Sequence, residues 1–92
     1  MHLEIVSPEA TLFSGEVVSV IVPGTTGSFQ MLNNHAPIVS TLKEGIVTIT
    51  GKMQLDEAFK NKFILQDANT TLFEISSGTV EMRDNKLILL AD

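Results

Sequence analysis

Cysteine is absent from the 92-residue chain. That excludes disulfides, thiolate metal sites and cysteine nucleophiles together, and it suits a reducing compartment. Basic residues are few: six Lys and Arg stand against eleven Asp and Glu, for a net charge of -5. Lys43, Lys52, Lys60, Lys62, Arg83 and Lys86 form no stripe. The chain therefore reads as one that does not bind nucleic acid, which calls for clustered positive charge. The opening MHLEIVSPEA has neither a basic n-region nor a long apolar run, so it is not read as a signal peptide, and an intracellular protein is expected. The most informative deficit is local. From Val17 to Leu42 the chain carries no Asp, Glu, Lys or Arg. Pro23, Gly24, Gly27, Asn33, Asn34 and Pro37 interrupt that stretch too often for a membrane span. It is expected to be core or partner contact.

What is present is a period of two. Ninety-two residues make one domain, 1–92, with a thin core. In Glu16–Val22, Val18, Val20 and Val22 share one face while Val17, Ser19 and Ile21 share the other, as in a central strand. Gly45–Thr50 alternates more cleanly, with Val47 and Ile49 on one side. Leu72–Ser76, Thr79–Met82 and Leu87–Leu90 read as further strands, and Ser28–Leu32 and Phe63–Leu65 have strand character. Their Val, Ile and Thr residues favour a pleated sheet. Turns are expected at Pro23-Gly24, at Ser77-Gly78 and, as a short hairpin turn, at Asp84-Asn85. Met53–Lys60 fits either one helical turn, with Leu55 and Phe59 four apart, or the wide tip of a hairpin, and the hairpin tip is preferred. The pattern predicts an all-β sandwich or barrel of short antiparallel strands.

Three groups of residues invite a chemical reading. His35, in Asn33-Asn34-His35-Ala36-Pro37, could serve as a general base of a small hydrolase or isomerase. It needs an orienting carboxylate, and the nearest in sequence are Glu16 and Glu44. A structural or interface histidine is the plainer reading. His2, near the terminus, reads as solvated. Two histidines without cysteine make a poor metal site, and no metal or cofactor is expected. Pro23–Gly27 (PGTTG) is glycine-rich, but a strand follows it and there is no Gly-Lys-Ser/Thr, so a turn is favoured over a phosphate loop. The carboxylates are dispersed and read as solvated surface, with Glu74 and Glu81 facing outward. The residues alone favour a compact sandwich that binds something through its charge-free loops, with a free-standing adaptor as one form of it.

A resemblance narrows this. Phe13-Ser14-Gly15, Pro23-Gly24 and Gly27, His35-Ala36-Pro37, then Leu42 and Gly45 fall in the order and spacing of one family. Phe73 to Met82 (FEISSGTVEM), Asn85 and Leu90-Ala91-Asp92 continue the match. In these features the chain resembles the N-terminal domain of the epsilon subunit of F-type ATP synthases, called delta in mitochondria. The resemblance implies a flattened antiparallel β-sandwich of about ten strands. It implies a noncatalytic rotor subunit, one copy per complex, at the foot of gamma against the ring of c subunits. It would be peripheral, on the cytoplasmic face of a bacterial membrane, and help couple ion-driven rotation to ATP synthesis or hydrolysis. Contacts with gamma and the c ring are implied for Thr26, Gly27 and Ser28, for His35, Ala36 and Pro37, and by position for Ser40.

Departures from the family pattern are also legible. Ser77-Gly78 stands where the family commonly has Gly-Gly, so Ser77 must manage any unusual φ or the turn must differ. Around Met53–Asn69 about a dozen residues exceed the usual hairpin. Many bacterial members continue beyond the sandwich into a helical hairpin that restrains rotation or binds ATP. The sequence given stops at Asp92, and neither property is expected of it.

Overall fold

The structure, a computed structural model, describes all residues from Met1 to Asp92. Ten strands and one 3₁₀ turn make up the chain. The strands are β1 His2–Val6, β2 Thr11–Glu16, β3 Ser19–Gly24, β4 Gly27–Leu32, β5 Ile38–Leu42, β6 Gly45–Thr50, β7 Phe63–Asp67, β8 Thr70–Ile75, β9 Gly78–Arg83 and β10 Lys86–Ala91. They form one curled sheet in the order β2-β1-β10-β9-β5-β3-β6-β8-β7, with β4 paired to β3 alone. The curl brings β2-β1-β10-β9 over β4-β3-β6-β8-β7, and β5 is the corner between them. The sheet is antiparallel throughout except for β1, which runs parallel to β10.

Alternation explains the layers. In the first layer, Leu3 lies opposite Leu87 and Leu87 opposite Met82, while Ile5, Leu89 and Val80 make the next inward row. In the second, Met31, Val20 and Ile49 form one inward row, continued by Thr71. All are buried in a single apolar cluster, with Thr71 beside it. Phe63 and Phe73 stack at 5.0 Å on the β7–β8 pair. No buried side-chain nitrogen or oxygen lacks a hydrogen-bond partner. At about 25 cal/mol per Å² of apolar area, this shared interior is the main stabilising force.

Several expectations are corrected. Glu16–Val22 is not one strand. β2 ends at Glu16 and β3 begins at Ser19, because the chain passes there from one layer to the other. The Val17 N–H donates to the Met1 carbonyl and the Val18 N–H to the Thr50 carbonyl. Gly51, at φ 137°, leaves room for this crossing, since a Cβ there would lie 3.1 Å from the Val18 nitrogen. The turn expected at Pro23-Gly24 lies at Thr25-Thr26, and Pro23 and Gly24 end β3.

Met53–Lys60 is not a hairpin tip either. β6 and β7 do not pair; each flanks β8. The connection crosses that strand, and Met53, Leu55 and Phe59 are partly buried against the core. It ends in the 3₁₀ turn Lys60–Lys62. Their apolar spacing reflects packing of an irregular segment, which strand and helix templates both miss. The Asp84-Asn85 hairpin turn is as read: both residues have positive φ, 52° and 59°, the signature of a type I′ turn. Ser77 needs no positive φ. Gly78 is required for another reason, since a Cβ there would strike the Leu90 carbonyl oxygen.

Candidate functional site

The charge-free segment is β3, β4, β5 and their connections. Its first candidate loop is the tip of the β3–β4 hairpin. Thr26, Gly27 and Ser28 are all exposed there. Gly27 sits at φ 136°, a backbone region that side chains rarely occupy. The tip is tied to the corner strand: the Thr25 N–H donates to the Thr41 carbonyl at 3.2 Å, and the Lys43 N–H to the Pro23 carbonyl at 2.9 Å. Gly24 is fixed by close approach, because a Cβ on it would lie 2.6 Å from the Gly27 carbonyl oxygen.

The second candidate loop, Asn33–Pro37, follows the other end of β4. Six extended residues, Gly27–Leu32, separate the two loops by roughly 17 Å along the strand. The structure therefore does not gather the sequence-derived residues into one pocket. Asn34 takes φ 63°, and its N–H donates to Asn85 Oδ1 at 2.7 Å. Asn85 Nδ2 donates to Asn33 Oδ1 at 2.8 Å, and the Met1 amino group donates to the same oxygen at 3.1 Å. The loop is thus held to the β9–β10 turn. Ala36 and Pro37 remain exposed on it.

His35 has no catalytic setting. Its Nδ1 lies 2.7 Å from the adjacent Ala36 carbonyl oxygen, so it donates there. The ion pairs made by histidine belong to His2. No orienting carboxylate reaches His35, which removes the basis of the hydrolase reading. His2 is not simply solvated. It is half-buried, with Nδ1 3.1 Å from Glu16, and Nε2 3.3 Å from the Ser14 hydroxyl and 3.6 Å from Glu4. No cluster of three metal-binding side chains exists.

Ser40 lies in β5 opposite Val80. It is on the inward row and half-buried. The outward residues of that strand are Val39, which is 73% exposed, and Thr41. The alternation in Ile38–Leu42 carried this signal. Beside Val39 a shallow groove runs between Pro37, Ile38, Glu81, Met82 and Arg83. The largest depression lies elsewhere, lined by Glu44, Glu74 and Asp92 among others. Glu74 and Glu81 do face outward.

The arrangement offers surface for docking and no chemistry for turnover. Comparison with known proteins identifies the family. A family model described as the ATP synthase delta/epsilon chain β-sandwich domain matches residues 1–92. The ATP synthase epsilon chain of Chlorobaculum tepidum is 39% identical over 90 residues, covering 98% of this chain and 86% of the relative. That of Caulobacter vibrioides is 37% identical over 92 residues, covering all of this chain and 90% of the relative. The chain spans only 60% of the Campylobacter curvus epsilon chain, to which it is 38% identical. Among solved structures, a chain of the Euglena gracilis mitochondrial ATP synthase (OSCP/F1/c-ring) superimposes with TM-score 0.73 at 15% identity, covering 97% of this chain and 48% of that one. A chain of the Tetrahymena thermophila mitochondrial ATP synthase central stalk and c ring gives 0.67 at 14% identity, covering 99% of this chain and 62% of that one. At such identities the two structures speak to fold alone.

Proposed function

The chain belongs to the β-sandwich family of ATP synthase delta/epsilon chains, and on that premise we propose that it joins gamma to the c ring in the rotor. It is a noncatalytic stalk component of a membrane-associated complex. In this reading it sits at the foot of gamma, on the cytoplasmic side of a bacterial membrane, one copy per complex. The observation that carries the reading is the family match over the whole of residues 1–92.

Physical considerations support a docking role for the loops. Burying an unpaired ion against a partner costs several kcal/mol, whereas neutral residues dock without that penalty. Thr26, Gly27 and Ser28 at one end of β4, and His35, Ala36 and Pro37 at the other, are uncharged and stitched to the fold beneath them. We assign these residues to contact with gamma and the c ring. Ser40, inward-facing, contributes through the position of β5.

The test is co-purification with gamma from membranes, followed by coupling assays. Thr26→Glu and Ala36→Glu, both at exposed positions, are each expected to leave the isolated domain folded. Each should lower ATP synthesis driven by an ion gradient more than ATP hydrolysis by the detached catalytic head. Full coupling with both charges in place would overturn the assignment of these loops, and absence of gamma from the purified complex would overturn the rotor reading itself.

A further inference from the structure

The sheet has three edges, β2, β4 and β7, and they are not alike. Open edges invite unwanted pairing, so proteins blunt them with charges and bulges. The β2 edge has both: its pairing with β1 shifts register between Ile5 and Val6, and it ends in Glu16. The β7 edge has both as well: its pairing with β8 shifts between Leu65 and Asp67, and Lys60 and Lys62 lead into it. β4 has neither. Its register with β3 runs unbroken from Leu32 to Gly27, and GSFQML carries no charge.

The bonding groups on that edge follow from the hairpin. A two-residue turn closes on a hydrogen-bonded pair, here Gly24 with Gly27, and bonded and non-bonded pairs then alternate. Val22–Phe29 and Val20–Met31 are thus bonded pairs. Pro23–Ser28, Ile21–Gln30 and Ser19–Leu32 are not. Pro23 has no N–H to give, and its carbonyl points away from β4 to the Lys43 N–H, which fits this phase. Ser28, Gln30 and Leu32 therefore turn their N–H groups outward, with the carbonyls of Ser28 and Gln30. The Leu32 carbonyl is taken by the His35 N–H. The side chains of all three are exposed.

We propose that the free edge of β4 takes up an extended, uncharged segment of gamma as an added β-strand. The proposal rests on the rotor reading for the identity of the partner. The added strand runs from the Thr26–Ser28 tip to the His35–Pro37 loop, so one segment touches both candidate loops although they stand at opposite ends of β4. An uncharged occupant matches an edge with no charge to pair. A second copy of this chain is the poorer occupant, since strand pairing would bring two bodies of net charge -5 side by side. Main-chain bonds would supply the register, and alternate pockets for side chains the selectivity.

Residue-resolved amide exchange of the full chain, alone and bound to gamma, tests this. The Ser28, Gln30 and Leu32 amides should exchange quickly in the free chain and slow by on the order of 100-fold in the complex. Phe29 and Met31, already bonded to β3, should be slow in both. Gamma bound with the three amides still fast would overturn the added strand and leave the rotor reading standing. Failure to bind gamma at all would sink both. Protection that instead rises with the concentration of the chain alone would make a second copy the occupant and overturn the proposal. Gln30→Pro deletes one outward N–H and no bond to β3, and should weaken gamma binding at least about tenfold. If that variant does not fold, Gln30→Lys blunts the edge as charges do elsewhere and should weaken binding in the same direction. Thr11→Lys on the β2 edge should not. Equal binding by wild type, Gln30→Lys and Thr11→Lys would refute the proposal.

Discussion

The two layers share one interior but differ on their outer faces. On β2-β1-β10-β9 the outward rows are ionic. His2 lies between Glu4 and Glu16, Lys86 reaches Glu4 at 3.6 Å, and Glu81 and Arg83 stand on β9. On β4-β3-β6-β8-β7 one outward row runs Gln30, Ile21, Thr48, Leu72, Ile64 across all five strands. Nothing in that row is charged, and Ile64 is 49% exposed. Both faces come from the same alternation of strand residues. The difference teaches that the charge-free run is not a core signal alone: the inward residues of β3 and β4 are apolar to fill the sandwich, while Ile21, Ser28, Gln30 and Leu32 on their outer face are neutral and exposed.

The sharpest way to break the comparison is to ask whether the layers are one unit. Leu89→Ala in the first layer and Ile49→Ala in the second each empty a fully buried position. Each should cost about 3 kcal/mol. Because the residues lie in one cluster, both variants should still unfold in a single transition by denaturant titration. Two transitions in either variant would show that the layers hold themselves independently.

Next in size is the seam where the second layer's loop meets the first layer's turn. Asn85 supplies a positive φ and two hydrogen bonds to Asn33 and Asn34. Asn85→Ala should cost about 2–3 kcal/mol, while Asn85→Gly, which keeps the backbone freedom, should cost about half as much. In both variants the Asn34 amide should exchange faster than in the wild type. Equal stabilities for the two would mean that the asparagine amide, and not backbone preference, holds the seam.

These two sites also show what the sequence could and could not reveal. Asp84-Asn85 was legible because a two-residue hairpin turn demands residues that tolerate positive φ. Gly45–Thr50 was legible because one face is buried and the other wet. β1 and β2 escaped notice, since HLEIV sets His2 and Glu4 between its apolar residues and TLFSGE puts a glycine on the inward row, opposite Leu3. The break at Val17-Val18 escaped for the opposite reason: five of the six residues from Val17 to Val22 are apolar, so alternation hides the crossing between layers. The candidate loops were legible as neutral turns. Their separation along β4 was not, because it depends on which strand pairs with which. The edge itself is a property of topology: nothing in GSFQML says that β4 has β3 on one side of it and no strand on the other.

A smaller effect tests the neutral face directly. Ile21→Thr keeps the branched side chain and removes apolar surface between Gln30 and Thr48. At 36% exposure the loss should be about 1 kcal/mol. Ile88→Thr in the first layer, also half-buried on an outward row, should cost a similar amount by thermal unfolding. If Ile21→Thr costs clearly less, the neutral row adds little to the isolated fold, and its apolar residues are there for a partner.

The smallest effect is expected where the charges are most conspicuous. Lys86→Met removes the partner of Glu4 on an outward row. Lys86 is half exposed and Glu4 less so, and such a water-accessible pair contributes only about 0.5 kcal/mol after side-chain entropy and screening. Glu4 also keeps His2 beside it. The variant should therefore lie within about 0.5 kcal/mol of the wild type at low salt, and the gap should close in 1 M salt. A loss several times larger that persisted in salt would mean that the ionic rows stabilise the first layer as packing does the second. The two faces would then differ in how they are built. With a small, salt-sensitive loss, they differ chiefly in what each will accept against it: water and ions on one, a neutral partner on the other.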